Sequence, residues 1–245
     1  MAKPKTPAPD RDEGDTRVDV SSVLTHSMED YIKAIYKLQQ HSGRATTIAI
    51  ADEMGFSAAS ATNMLQKLAR LELVSYAPYK GAELTATGRR IALEVIRHHR
   101  LIELYLAKHM GYSWDAVDAE AEALEHVISE EFEERIDELL GRPETDPHGH
   151  PIPSKDGHIP DERMYTPLAD VPDGSSARVR RVSDRDPEAL RSLGAIGLYP
   201  GADLLVLRRE SADVVVRVGD DERPVSAEHA VEVFVELRDG SDTPS

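Results

Sequence analysis

The chain has 245 residues, more than one average domain holds, so two or three compact units are expected. It has no cysteine, which excludes disulfide staples and thiolate ligands and leaves His, Asp, Glu and backbone oxygens for any metal site. A formal net charge of -16 argues on average against nucleic acid, which draws on Lys and Arg. The charges nevertheless roughly balance from Ser27 to Arg100, while carboxylates crowd the stretch from Glu103 to Glu144. One segment suits cations and another can approach an anion, although most of these carboxylates read as a solvated helix face.

Residues 1–24, rich in Pro and charge, and the closing 239–245 read as disordered tails. No apolar run approaches the roughly 18 residues of a membrane span. No signal-peptide core follows Met1, so the expected location is the cytoplasm, with no membrane partner. A first helix is expected near Ser27, with Asp30 three residues on as a capping start and Tyr31, Ile32, Ile35 and Leu38 facing inward, ending at Ser42-Gly43. A short helix, a turn at Gly55 and a second helix capped by Ser57 follow, the second burying Met64, Leu65, Leu68 and Leu71. The run to Tyr76, a Pro-Tyr-Lys-Gly tip and a return through Leu84 predict a two-stranded wing, so 25–96 reads as a winged helix-turn-helix.

A long helix is expected from about Thr87 to Met110. Ser113 is then expected to cap another helix with the apolar stripe Val117, Ala121, Leu124, Ile128, Phe132, Ile136 and Leu139. A stripe that long suits a second copy of the chain, and 97–145 reads as a metal-binding and dimerisation unit of a homodimer. The Pro, Gly and His of 146–174 mark a linker, in which His148, His150 and His158 read as solvated. Short alternating strands over 175–238 suit a small SH3-like barrel. The fold class is α+β: a mainly helical N-terminal part followed by an all-β barrel.

Glu122, Glu125 and His126 stand at i, i+3 and i+4, which gathers two carboxylates and an imidazole on one helix face beside Leu124. The preceding helix offers His99 and Glu103 at i and i+4, with the adjacent His98 as a rival to His99 that periodicity does not dismiss. Carboxylates desolvated at a packing edge are costly unless a cation meets them.

Together SMEDYIKAIYKL, the helix-turn-helix and wing, HHRLIELYL, EAEALEHVIS and DPHGHPIP resemble the diphtheria toxin repressor and manganese transport regulator family, from about Ser27 to Pro153. The β segment resembles the extra FeoA-type barrel of its longer members. The resemblance implies a divalent metal that switches on DNA binding, held here by Asp30, Glu122, Glu125 and His126. It chooses His99 over His98, and implies an ancillary site from His99 and Glu103. Three departures stand out. Asp30 and Glu122 replace the methionine and cysteine of iron-type members, as in manganese-type ones. Lys33 replaces a manganese-type glutamate ligand, which puts a two-metal cluster in question. Asp118 replaces an ancillary histidine, with Asp186 or Glu188 of the barrel as a further candidate.

For DNA, Ser57, Ser60 and Thr62 open the second helix where hydroxyls and the helix N-terminus meet phosphate, and Asn63, Gln66 and Lys67 lie one turn on. Arg44 and Lys80 are candidate phosphate anchors. The expected function is a repressor, activated by manganese (Mn2+) or alternatively ferrous iron (Fe2+), that binds a palindromic double-stranded DNA operator of metal-homeostasis genes. No small organic substrate is expected. A metal-independent winged-helix regulator and a metallohydrolase are the alternatives; the latter lacks any nucleophile motif, phosphate loop or His-Glu-x-x-His signature.

Overall fold

The computed structural model of the protein describes residues 24–159 and 165–238. The expected disordered tails, apart from Leu24, lie outside the described residues.

Helix α1 (His26–Ser42) places Met28, Ile32 and Ile35 at spacings of three and four, and all three are fully buried. Its N-cap is Thr25 rather than Ser27, and no side chain caps it. Helix α2 (Thr47–Glu53) and helix α3 (Ala58–Arg70) form the helix-turn-helix around Gly55, whose φ of 66° suits glycine. Ser57 caps α3 by accepting the Ser60 amide, while Ala61, Leu65 and Leu68 face the core and Met64 and Leu71 pack at its margin. Strands β1 (Val74–Ala77) and β2 (Gly81–Leu84) pair antiparallel as the wing.

Helix α4 (Ala86–Tyr105) ends in a π-helical turn, Leu106–Met110, so the long expected helix changes pitch over its last turn. The single helix expected after Ser113 is two: α5 (Val117–Leu124) and α6 (Glu130–Leu139), separated by a turn, with Ser129 capping α6 through the Phe132 amide. The apolar stripe therefore splits. Val117, Ala121 and Ile136 are buried, whereas Leu124, Phe132 and Leu139 remain 38, 46 and 59 % exposed.

After α6 the chain packs as a strap rather than lying in solvent. The Asp146 Oδ1 accepts the amides of His148 and His150, and the carbonyls of Pro151 and Pro153 accept from Arg100 and Arg97 of α4. His148 and His150 are buried, 0 and 7 % exposed, which overturns their reading as solvated residues. His158 is exposed, as expected.

The β unit is one antiparallel six-stranded sheet of order β3-β8-β4-β5-β6-β7: β3 (Thr166–Pro167), β4 (Ser176–Val182), β5 (Asp203–Glu210), β6 (Asp213–Val218), β7 (Asp221–Val225) and β8 (Val233–Leu237). It encloses Val179, Val206, Val216 and Val235, all fully buried. Two helices interrupt it that the strand pattern did not signal, α7 (Pro187–Ala195) and the short α8 (Ala227–Ala230). The strap is stitched to β4: the Val182 amide donates to the His148 carbonyl at 2.9 Å.

Candidate metal centre

Three elements converge at the junction of α1, α4 and α5. Asp30 projects from α1, His99 and Glu103 from α4, and Asp118 and Glu122 from α5. Glu125 caps α5 and His126 lies one residue beyond in the turn, so the expected face continues past the helix end through the Glu125 amide, bonded to the Ala121 carbonyl.

The first cluster is Asp30, Glu125 and His126, whose ligand atoms lie within 4.8 Å of one another. His126 Nε2 is 2.7 Å from Asp30 Oδ1 and 3.3 Å from Glu125 Oε1, and its Nδ1 is 2.6 Å from Glu29 Oε2. Glu29 was not singled out in the sequence; it stands where a carboxylate orients an imidazole through the nitrogen not used for ligation. Burial pulls the His126 imidazole down, but the Asp30 and Glu29 carboxylates outweigh it and lift it to about 9. Glu122 lies beside this cluster, with Oε2 2.6 Å from Lys33 Nζ and 3.9 Å from His99 Nδ1.

His99 faces two ways. Its Nδ1 is 2.6 Å from Glu125 Oε2, while its Nε2 is 3.5 Å from Glu103 Oε1 and 3.4 Å from Asp118 Oδ1. Burial lowers this imidazole's affinity for a proton, yet the Asp118, Glu103 and Glu125 carboxylates hold it well above the ordinary range. His98, its rival, instead meets the Glu125 carbonyl and Glu133 Oε2, both at 3.1 Å. Glu133, expected to be solvated, is 2 % exposed and also accepts from Arg97 at 2.6 Å.

Beyond Glu103 lies a second group that the sequence reading missed. His148 Nδ1 is 3.6 Å from Glu103 Oε1, and His150 Nδ1 is 3.3 Å from Asp146 Oδ2 and 3.9 Å from Asp184 Oδ2. His148 Nε2 donates to the Trp114 carbonyl at 2.7 Å, and its Nδ1 is turned toward Glu103. The β unit's carboxylate near this group is Asp184. The suggested Asp186 instead caps α7 by accepting the Glu188 amide, and both it and Glu188 are exposed. The signal in the sequence was the alternation Asp146-x-His148-x-His150, hidden by its Pro and Gly neighbours.

Both Glu103 carboxylate oxygens, His99 Nε2, His148 Nδ1, His150 Nδ1 and Asp146 Oδ2 are buried with no hydrogen bond of good geometry, their imidazole–carboxylate contacts with one another lying at 3.3–3.6 Å. Unsatisfied groups gathered at one place carry a large desolvation cost that a cation would remove. The donor set is all oxygen and imidazole nitrogen, so these residues fit a divalent ion of the harder transition series. A cleft of about 590 Å³, lined by Asp30, Lys33, Asp118, Glu122, Asp184 and Arg185, opens beside both groups.

The DNA candidates lie apart from this junction. Ser57, Ser60, Asn63, Gln66 and Lys67 are exposed on α3, and Arg44 and Lys80 line a 340 Å³ concavity with Tyr79 at the wing tip. The Thr62 hydroxyl donates to the Ala58 carbonyl at 2.8 Å, which leaves only its lone pairs for an incoming donor.

Comparison with known proteins agrees with this architecture. The model of the iron dependent repressor N-terminal DNA binding domain matches residues 23–82, that of the iron dependent repressor metal binding and dimerisation domain residues 85–154, and the FeoA domain residues 166–237. The iron-dependent repressor IdeR of Mycobacterium leprae is 30% identical over 225 residues, which cover 86% of this chain and 97% of that protein. The HTH-type transcriptional regulator MntR of Geobacillus kaustophilus is 36% identical over 116 residues, 47% of this chain and 82% of its own. A solved manganese-dependent transcriptional repressor in complex with manganese matches with a TM-score of 0.80 at 36% identity, covering 86% of this chain and 100% of that one. The chain therefore belongs to the iron-dependent repressor family, that of the diphtheria toxin repressor and the manganese transport regulators.

Proposed function

We propose that this protein is a metal-dependent transcriptional repressor in which a divalent ion, held at the α1–α4–α5 junction, favours the homodimer arrangement that binds a palindromic DNA operator of metal-homeostasis genes. The observation that carries this reading is the junction itself. Asp30 of the DNA-binding unit's first helix meets Glu125 and His126 of the following unit, so an ion bound there has ligands on both and biases how they sit. Asp30, Glu125 and His126, with Glu122 beside them, form the first site, and His99, Glu103, Asp118 and His148, with Asp146, His150 and Asp184 nearby, the second. Exposed Leu124 and Val127, which flank Glu125 and His126 in the chain, and exposed Phe132 of α6 supply apolar surface for a second copy of the chain. The family consists of repressors, which act by binding, and we read this chain in the same way. Among the described residues no helix is long and apolar enough to cross a membrane, which agrees with a cytoplasmic site of action.

Hard carboxylate oxygens with imidazole and no sulfur favour manganese, with ferrous iron second. Promoter fragments from the native genome, titrated with protein in manganese, in ferrous iron without oxygen, in zinc and in chelator, test the reading. Retarded fragments in manganese that are released by chelator support it; equal binding in chelator favours a metal-independent regulator. Full activation by ferrous iron at free concentrations where manganese does nothing reverses the choice of metal.

His126 and His99 give the metal response a pH dependence of defined sign. Both imidazoles have a raised affinity for protons; His126, lifted to about 9 by the Asp30 and Glu29 carboxylates, carries its extra proton at neutral pH in the metal-free protein, and an ion that needs the neutral imidazole displaces it. Apparent manganese affinity rises with pH between 6 and 8, by about tenfold per unit for each proton displaced, and levels off for His126 as pH passes about 9. Calorimetric titration in buffers of different ionisation enthalpy reads this proton release directly, and a pH-independent affinity contradicts it.

On DNA, Asn63→Ala relaxes base preference at one operator position by about 1–3 kcal/mol. Lys80→Ala weakens all sequences alike and lowers the salt slope by about one. An unchanged salt slope on every duplex removes Lys80 from the phosphate contacts.

A further inference from the structure

Lys33 stands on α1 three residues after Asp30 and turns its ammonium into the first cluster. Its side chain is only 7 % exposed, with Nζ 2.6 Å from Glu122 Oε2 and 2.5 Å from Glu125 Oε1. Lysine is almost never this buried unless paired, because desolvating an ammonium is costly and only close carboxylates offset it.

The pairing uses up donors that an ion would otherwise share. Glu125 offers Oε1 toward Lys33 and His126 and Oε2 toward His99, and Glu122 turns its Oε2 to Lys33. His99, Glu122 and Glu125 have ligand atoms within 4.8 Å of one another, a spacing that itself suits an ion, and the ammonium lies against two of these three residues. The ion pair also spans two elements: Lys33 comes from α1, and both glutamates come from α5 or its cap.

We propose that Lys33 is a tethered cation that fills one of two adjacent cation seats in this cluster, so that the cluster takes a single divalent ion on Asp30, Glu125 and His126. Glu122 is then the counter-ion of Lys33 rather than a ligand. The ammonium also ties α1 to α5 whether or not an ion is bound. This rests on the metal reading of the site and deepens it.

The test is manganese stoichiometry on the full-length chain by native mass spectrometry and electron paramagnetic resonance, in a Glu103→Gln/His148→Ala background that disables the second group. Circular dichroism checks the fold of each variant. With Lys33 present the expected content is one ion per protomer. Lys33→Glu, which exchanges the ammonium for a carboxylate, takes two and shows the spin coupling of neighbouring manganese ions. Lys33→Met, which keeps the length without charge or ligand, takes the second ion more weakly, and serves if Lys33→Glu does not fold. Two ions with Lys33 in place overturn the proposal, as does one ion in both variants. No ion in any of the three chains overturns the metal reading on which the proposal stands, whereas two in the parent leave that reading intact.

Discussion

His126→Ala removes metal-stimulated operator binding, lowering affinity in manganese by at least about 100-fold, or about 2.7 kcal/mol, while the dimer stays folded. The imidazole lies between Asp30 and Glu29 and stacks on His26 at 4.9 Å, so its loss removes a donor to the ion but little core packing. Glu125 calls for a gentler change. It is 1 % exposed and holds both Lys33 and His99, so alanine would leave buried cations unpaired and unsettle the fold as well as the site. Glu125→Gln keeps the shape and removes the charge, and it loses the metal response with a smaller loss of stability. Operator binding by fluorescence anisotropy across a manganese titration, beside dimer mass by light scattering, checks both. Full metal response in the two variants removes these residues from the ligand set.

Gly149→Ala destabilises the protein by about 2–4 kcal/mol. Gly149 has φ 88°, and a Cβ there would lie 2.0 Å from the Arg180 carbonyl oxygen, so the alanine meets both a backbone conformation it disfavours and a backbone atom that cannot turn aside. The strap would have to lift from β4. That breaks the bond from the Val182 amide to the His148 carbonyl and loosens the packing of Trp114 between His148 and Tyr199, with ring centroids at 5.8 and 4.7 Å. Since His148 and His150 sit on either side of this glycine, the second group loses its geometry together with the β unit's anchorage. Denaturant unfolding measures the cost, and amide exchange at Val182 localises it. A variant as stable as the parent, with Val182 still protected, contradicts this role for the strap.

Local rules carried the helix-turn-helix and wing well. Ser57, Gly55, the Leu65 and Leu68 spacing and the Pro-Tyr-Lys-Gly tip each act within a few residues, so their signals survive in the chain alone. The apolar stripe from Val117 to Leu139 misled because spacing reports which face is apolar and not whether the helix is continuous; Ser129, a good N-cap, marked the restart of α6. Asp186-Pro187 was likewise a readable start for α7, with Pro in the first turn and an Asp cap. The strap was lost for a different reason. Pro, Gly and His describe its irregular backbone correctly, but its burial comes from α4 and β4, far away in sequence. The same distance hid Asp184 from Asp146 and His150, and hid how closely Lys33 engages Glu122 and Glu125.

The central claim is that ion binding at the α1–α5 junction and DNA binding by α3 are two readings of one equilibrium. Linkage requires that each ligand tighten the other by the same factor. The direct measurement is manganese affinity of the dimer by competition with a calibrated chelator, at fixed pH and salt, with and without saturating operator duplex. Manganese must bind tighter on the operator by the same factor as the operator binds tighter in manganese, with no such gain on a scrambled duplex. Identical manganese affinity on and off the operator contradicts the account.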